Sequence, residues 1–159
     1  MIEIERRFLV DAVPTELGEP SAIEQAYLTV EPIAVRVRRL GDQRILTIKA
    51  GSGLVRTEIE RELEPAEFEA LWDVADELRI TKRRHRIELD GGSTAELDLF
   101  DGDLAGRRIV EVEFDDDEAA AAFEPPTWFG REVTGDTRYS NAALARHGWP
   151  DEPDDEQDD

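Results

Sequence analysis

The 159-residue chain contains no cysteine. Disulfide cross-links, zinc–thiolate sites and thiol nucleophiles are thereby excluded. No apolar run approaches the length of a membrane span, and the chain opens on a charged segment rather than a secretory leader. A cytoplasmic protein with no membrane partner is the expectation. Clustered positive charge is missing too: the net charge is −20, which argues against nucleic acid as a partner. Seven acidic residues fall between Asp151 and Asp159, a stretch expected to be a disordered acidic tail behind one domain spanning residues 1–150. Lysine is scarce. Of 19 basic residues only Lys49 and Lys82 are lysines, and both belong to charged, alternating segments.

What the chain does have is charge at every second residue, in one segment after another. Glu3, Glu5 and Arg7 open the series, followed by Arg36 and Arg38, Thr47 and Lys49, then Arg56, Glu58 and Glu60. Lys82, Arg84, Arg86 and Glu88 continue it, then Glu96 and Asp98, then Glu111 and Glu113. In a β-strand the side-chain period is two, so each set occupies one face. The pattern predicts strands over 2–10, 22–30, 33–40, 43–50, 54–63, 79–89, 93–100 and 107–115, separated by turns such as Gly41-Asp42, Gly51-Ser52-Gly53 and Gly91-Gly92. Links of hairpin length imply a mainly antiparallel sheet.

Pro65 followed by Phe68, Leu71, Trp72, Ala75 and Leu78 predicts one amphipathic helix. Shorter helices are expected from Asp117 to Phe123, and from Asn141 to His147 with Ser140 or Asn141 as cap. Trp72, Trp128 and Trp149 are expected to pack rather than to stack bases.

Two architectures fit this binary pattern. A β-sandwich with an apolar core would leave the charged faces in water. A closed barrel would turn them inward, into a lumen wide enough for side chains or one small ligand. The charged faces favour Glu-x-Glu and Arg-x-Arg over mixtures of Thr, Ser and Gln, and like charges recur at i and i+2 in both signs. A lumen so lined suits a polyanion held with a divalent metal. In that case Arg6, Arg39, Arg61 and Arg83 face solvent, and His85 points outward in a structural role.

The segment Glu3-Ile4-Glu5-Arg6-Arg7-Phe8-Leu9-Val10 resembles the Glu-x-Glu-x-Lys signature of the CYTH, or triphosphate tunnel metalloenzyme, superfamily. Gln25-Ala26-Tyr27-Leu28, Val35-Arg36-Val37-Arg38, Leu46-Thr47-Ile48-Lys49 and Arg56-Thr57-Glu58-Ile59-Glu60 follow in that family's order. So do Lys82-Arg83-Arg84, Glu96-Leu97-Asp98-Leu99-Phe100 and Glu111-Val112-Glu113, while Trp128 to Thr134 and Tyr139-Ser140-Asn141 resemble the small bacterial members. One departure stands out: Arg7 occupies the place of the family's lysine, so function is expected to be retained with affinity or rate altered.

The resemblance implies an α+β, mainly β fold: an eight-stranded antiparallel tunnel with a charged interior and a few outer or plugging helices. It implies a triphosphate substrate and Mg²⁺ or Mn²⁺, with inorganic tripolyphosphate favoured. Class IV adenylate cyclase and thiamine triphosphatase are the rivals within the fold, and each needs an apolar pocket that the strands do not show. A catalytically silent polyphosphate- or nucleotide-binding module is the rival of another class.

Arg7, Arg36, Arg38, Lys49, Arg56, Lys82 and Arg84 are the expected phosphate ligands. Glu3, Glu5 and Glu113, with Glu111, are the first choice for the metal, and Asp98, Glu58 and Glu60 would hold a second ion or position water. Tyr27 with Lys82 is a candidate proton-handling pair. A monomer or a homodimer is expected.

Overall fold

The protein is described by a computed structural model that places residues 2–51, 54–75 and 78–151. The expected acidic tail lies outside the described residues from position 152 onward, as do Ser52 and Gly53 of one predicted turn.

The alternating segments form β1 (Ile2–Val10), β2 (Ser21–Thr29), β3 (Ile33–Leu40), β4 (Gln43–Ala50) and β5 (Val55–Glu62). They continue as β6 (Arg79–Glu88), β7 (Thr94–Phe100) and β8 (Arg108–Glu113), each ending within two residues of its predicted limits. All neighbours pair antiparallel, in the order β5-β4-β3-β2-β6-β7-β8-β1, and β1 then pairs with β5. The sheet is therefore a closed eight-stranded barrel and not a sandwich. Closure removes the two long free edges that an open sheet would have.

Closure is asymmetric at β1. Ile2, Glu3 and Ile4 pair with β5, Glu5 through Leu9 pair with β8, and Phe8 and Val10 pair with a ninth strand, β9 (Phe129–Glu132). Only four residues long and lacking alternation, β9 is absent from the sequence reading. Its Gly130 lies so near β1 that a Cβ there would meet Asp11 Oδ1 at 2.6 Å and the Leu9 carbonyl at 3.2 Å.

Among the described residues, three α-helices flank the barrel. In α1 (Pro65–Val74), proline opens the first turn, and the Glu64 N–H donates to Glu67 Oε1 at 2.9 Å in a capping box. The helix stops short of the expected stripe, since Leu78 lies outside it and leads into β6. Asp116 caps α2 (Asp117–Ala122), accepting from Ala119 N at 2.7 Å; Ser140 caps α3 (Asn141–His147), accepting from Ala143 N at 3.1 Å.

The apolar core lies outside the barrel wall, because the inner face is given over to charge. Phe8, Leu97, Val110 and Val112 pack against Phe123 and Phe129 beneath α2 and β9. Ala26 and Val37 pack under Phe68 of α1. Burying a phenylalanine of that kind contributes about 2–3 kcal/mol. A third cluster plugs one end of the lumen: the inward rows finish on Leu9, Ile80, Phe100 and Ile109, which meet Tyr139 and Leu144.

The expectation that Arg6 faces solvent is corrected. Arg6 donates to the carbonyls of Ala120 and Phe123 at 2.9 and 3.0 Å and pairs with Glu132 at 2.8 Å, so it joins α2 and β9 to the wall. His85 does point outward, and its Nδ1 lies 2.9 Å from the Gly18 carbonyl. Trp72 stacks on Phe68, Trp128 meets Phe129 edge-on and Trp149 meets Tyr139 edge-on, all packing contacts.

Candidate active site

Register turns the alternating rows into a lining. Glu5 is opposite Glu113 and Arg7 opposite Glu111 across β1 and β8; Glu3 is opposite Arg56 across β1 and β5; Lys49 is opposite Glu58 across β4 and β5. Arg84 faces Asp98, and Glu96 faces both Glu111 and Arg86. Glu3, Glu5, Arg7, Gln25, Arg36, Thr47, Lys82 and Asp98 are all buried, although none is apolar.

The lumen has two lobes. One, about 630 Å³, is bordered by Glu3, Arg38, Glu58, Glu60, Glu96 and Glu113. The other, about 550 Å³, runs past Tyr27, Arg56 and Thr134 to Arg146 and His147 of α3. They meet at Glu5, Arg7, Arg36, Lys49 and Asn141.

Charge is organised in three groups. Arg56 holds Glu3 at 2.9 Å and also contacts Glu5, while Lys49 lies 3.3 Å from Glu3. Arg7 bonds Glu111. Arg84 grips Asp98 through two bonds of 2.7 and 2.9 Å, extends to Glu96 at 2.9 Å, and shares Asp98 with Lys82 at 2.8 Å. Such forked, charge-assisted contacts fix geometry as well as charge.

Against this pairing, Arg36 has no carboxylate within ion-pair reach among the described residues, and Arg38 reaches Glu60 only at 3.9 Å. The Nε atoms of both are buried without an acceptor. Burial and the neighbouring Arg36 and Arg84 charges push Arg38 down to about 10. These two guanidiniums are thus less fully paired than Arg56, Arg7 and Arg84.

The CYTH domain family model matches residues 1–138 of this chain, the whole barrel and β9. The chain belongs to the CYTH family. It is 43% identical over 147 residues to an inorganic triphosphatase of Nitrosomonas europaea, spanning 91% of this chain and 97% of that one. It is 37% identical over 150 residues to an inorganic triphosphatase of Acetivibrio thermocellus, covering 91% and 94%. A crystal structure of an inorganic triphosphatase superposes with a TM-score of 0.68 at 42% identity, over 90% of this chain and 93% of that one. A conserved hypothetical protein from Pyrococcus furiosus, 20% identical with a TM-score of 0.55 over 76% and 83%, shares the fold.

Within this CYTH lumen the acidic residues do not stand preassembled around a cation: no three acidic or histidine side chains among the described residues form a ready metal cluster. Their chemistry nonetheless fits one. Burial, the Glu111 charge and a hydrogen bond with Glu3 push Glu5 up to about 9. Burial and a hydrogen bond with Glu3 push Glu58 up to about 8. Burial opposes the charge on Glu3, but the protons on Glu58 and Glu5 and the Lys49 and Arg56 charges hold it well below the usual carboxylate range. Near neutral pH the protons on Glu5 and Glu58 thus relieve repulsion within the cluster, and Glu3 Oε2, 3.3 Å from Lys49 Nζ, is a buried oxygen with no hydrogen-bond donor among the described residues. A set of hard carboxylate oxygens with displaceable protons suits Mg²⁺ or Mn²⁺.

Two expectations change with the geometry. Asp98 is an expected metal ligand, but Arg84 and Lys82 engage both of its oxygens, so it positions those cations. Tyr27 and Lys82 do not form a pair. The Tyr27 hydroxyl accepts from Gln25 at 3.2 Å, and the Lys82 ammonium is engaged by Asp98 and, at 3.2 Å, by Asn141. Asn141 is the site residue that the sequence reading took only as a helix start. It carries no charge and sits on no alternating row, so only its Tyr139-Ser140-Asn141 context marked it.

Among the described residues, no helix is long and apolar enough to cross a membrane.

Proposed function

We propose that the protein is a cytoplasmic, metal-dependent inorganic triphosphatase that hydrolyses tripolyphosphate to diphosphate and phosphate with Mg²⁺ or Mn²⁺. Metal dependence is general among CYTH triphosphatases. The observation that carries the reading is the pair Arg36 and Arg38, whose Nε atoms are buried without an acceptor among the described residues and of which only Arg38 reaches a carboxylate, beside a carboxylate cluster in one lumen. A ligand that satisfies both must bring several negative charges and also tolerate a row of glutamates, which a linear phosphate chain with a divalent cation does.

Arg36, Arg38, Lys49 and Arg56 would hold the phosphate oxygens along the chain, and Arg84, fixed by Asp98, adds a further donor. Glu3, Glu5, Glu111 and Glu113 would hold the metal, which supplies charge neutralisation to the phosphate oxygens. Glu58 and Glu60, bordering the wider lobe, would orient water for in-line attack at the terminal phosphorus. Glu58, whose raised pKa leaves it protonated near neutral pH, would take the water's proton once its own has been displaced. Arg36 and Arg38 then stabilise the charge that builds on the leaving diphosphate. Asp98 keeps Arg84 and Lys82 in place and needs no metal of its own.

The test is to supply purified protein and Mg²⁺ or Mn²⁺ with tripolyphosphate, ATP or thiamine triphosphate, and to assay phosphate and cyclic AMP. Metal-dependent phosphate release, fastest from tripolyphosphate, is expected. Cyclic AMP from ATP, or faster release from thiamine triphosphate, would overturn the substrate assignment. Tight binding without release would make the protein a silent module.

A further inference from the structure

Arg7 stands where barrel wall, lumen and C-terminal segment meet. Its backbone N–H donates to Thr134 Oγ1 at 2.9 Å, and its carbonyl accepts from Val133 N at 2.8 Å. Any residue would make those bonds. The side chain does something particular: Nη2 bonds the Glu111 carboxylate inside the lumen, while Nη1 donates to the Tyr139 carbonyl. Tyr139 is fully buried and immediately precedes the cap of α3. Two residues on, Asn141 accepts from Lys82 and borders both lobes. The segment that walls the lumen is thus fastened by two of the lumen's own cations.

We propose that Arg7 is a positioning residue whose fork couples Glu111 to the Tyr139 carbonyl, and so sets where Asn141 and α3 stand against bound substrate. Arginine's planar fork presents divergent donors to two partners at once, whereas lysine places one compact charge at the end of an unbranched stem. Arginine at this position is therefore a structural choice and no mere replacement for a phosphate-binding lysine. The C-terminal segment becomes part of the substrate site, held in register by a residue of β1. The identity of the anion rests on the triphosphate reading; the tie itself does not.

The experiment compares wild type with Arg7→Lys, which keeps the charge and loses the fork. Amide hydrogen exchange is followed across the chain, and tripolyphosphate affinity is measured by calorimetry without metal, so that no turnover intervenes. Exchange over residues 139–147 is expected to accelerate about tenfold while β6 and β7 keep their protection, and Kd is expected to weaken about tenfold. Should Arg7→Lys fail to fold, Glu111→Gln weakens the same tie from its other end and is expected to accelerate exchange in the same segment. Unchanged exchange over 139–147, or acceleration spread evenly over the barrel, overturns the tie. Segment-specific acceleration with unchanged Kd makes the tie structural only and overturns the positioning role. A wild-type protein that does not bind tripolyphosphate defeats the triphosphate reading, and with it the substrate half of this proposal, while the exchange pattern still decides the tie.

Discussion

Lys82 and Asp98 lie 2.8 Å apart, Nζ to Oδ2, and almost none of either side chain reaches solvent. Burial drives the Lys82 ammonium down to about 7 against the pull of Asp98. In the unfolded chain the same group keeps its proton to about 10.4. Between those values the unfolded state binds more protons, so this group's contribution to stability grows as pH rises through the window.

The two-lysine composition makes that shift directly observable. Heteronuclear NMR of side-chain-labelled lysine should give two signals, one titrating near pH 7 and disappearing in Lys82→Met. Burial and neighbouring arginines also lower Lys49. Two signals that both titrate at the ordinary lysine value would show that burial does not control this lumen.

The protons on Glu5 and Glu58 carry the opposite sign. Their folded pKa values, about 9 and 8, lie above the ordinary carboxylate value of 4.5, so their stabilising contribution is full below that value and is lost progressively as pH rises from there to 8 for Glu58 and 9 for Glu5. Bound Mg²⁺ should displace those protons. Calorimetric titration with Mg²⁺ at pH 7, in two buffers of different ionisation heat, should reveal release of about one proton or more. A heat independent of buffer would remove Glu5 and Glu58 from the cation site.

Under the proposed reading, Arg36 and Arg38 bind the phosphate chain. Replacing either with alanine should raise KM for tripolyphosphate about 10- to 100-fold, the worth of hydrogen bonds to a charged group. The metal-free melting temperature should hold or rise for Arg36→Ala, which removes a buried cation with no carboxylate in reach among the described residues, and change little for Arg38→Ala, which also loses the 3.9 Å contact with Glu60. A fall in melting temperature with unchanged KM would make these arginines structural.

Glu113 is exposed at one end of the wider lobe and opposite Glu5, and Glu113→Ala should cost no more than about 0.5 kcal/mol in stability. Metal-dependent turnover should nonetheless fall about a hundredfold or more. Urea unfolding together with a phosphate-release assay separates the two effects. Wild-type rates would reject Glu113 as a metal ligand.

Much of the architecture was legible because strand period and charge coincide. Glu3-x-Glu5-x-Arg7 and Arg56-x-Glu58-x-Glu60 state a face whatever the fold, and Gly41, Gly51, Gly91 and Gly102 mark where β3, β4, β6 and β7 end. The strip Phe129–Glu132 was not legible, since four residues around a glycine carry no period and pair only because β1 offers a free edge at Phe8 and Val10. Arg6 also misled: its position on the outer face was right, but α2 and Glu132 cover it. Within the site, residue types named the donors without naming their partners. Asp98 reads as a metal ligand until Arg84 and Lys82 are seen to occupy both of its oxygens.

The sequence by itself determined which side chains share a face, that opposite charges would be concentrated there, and that thiol chemistry was excluded, because alternation and composition are local properties of the chain. Tertiary structure alone decided that the charged face turns inward, since that depends on β1 closing against β5. It also decided which cation meets which carboxylate, that the Nε atoms of Arg36 and Arg38 are buried without an acceptor among the described residues, and that Arg7 reaches Tyr139 across 132 positions of sequence. Ion-pair partners are chosen by distance in space under weak screening, and no local pattern in the chain records that distance.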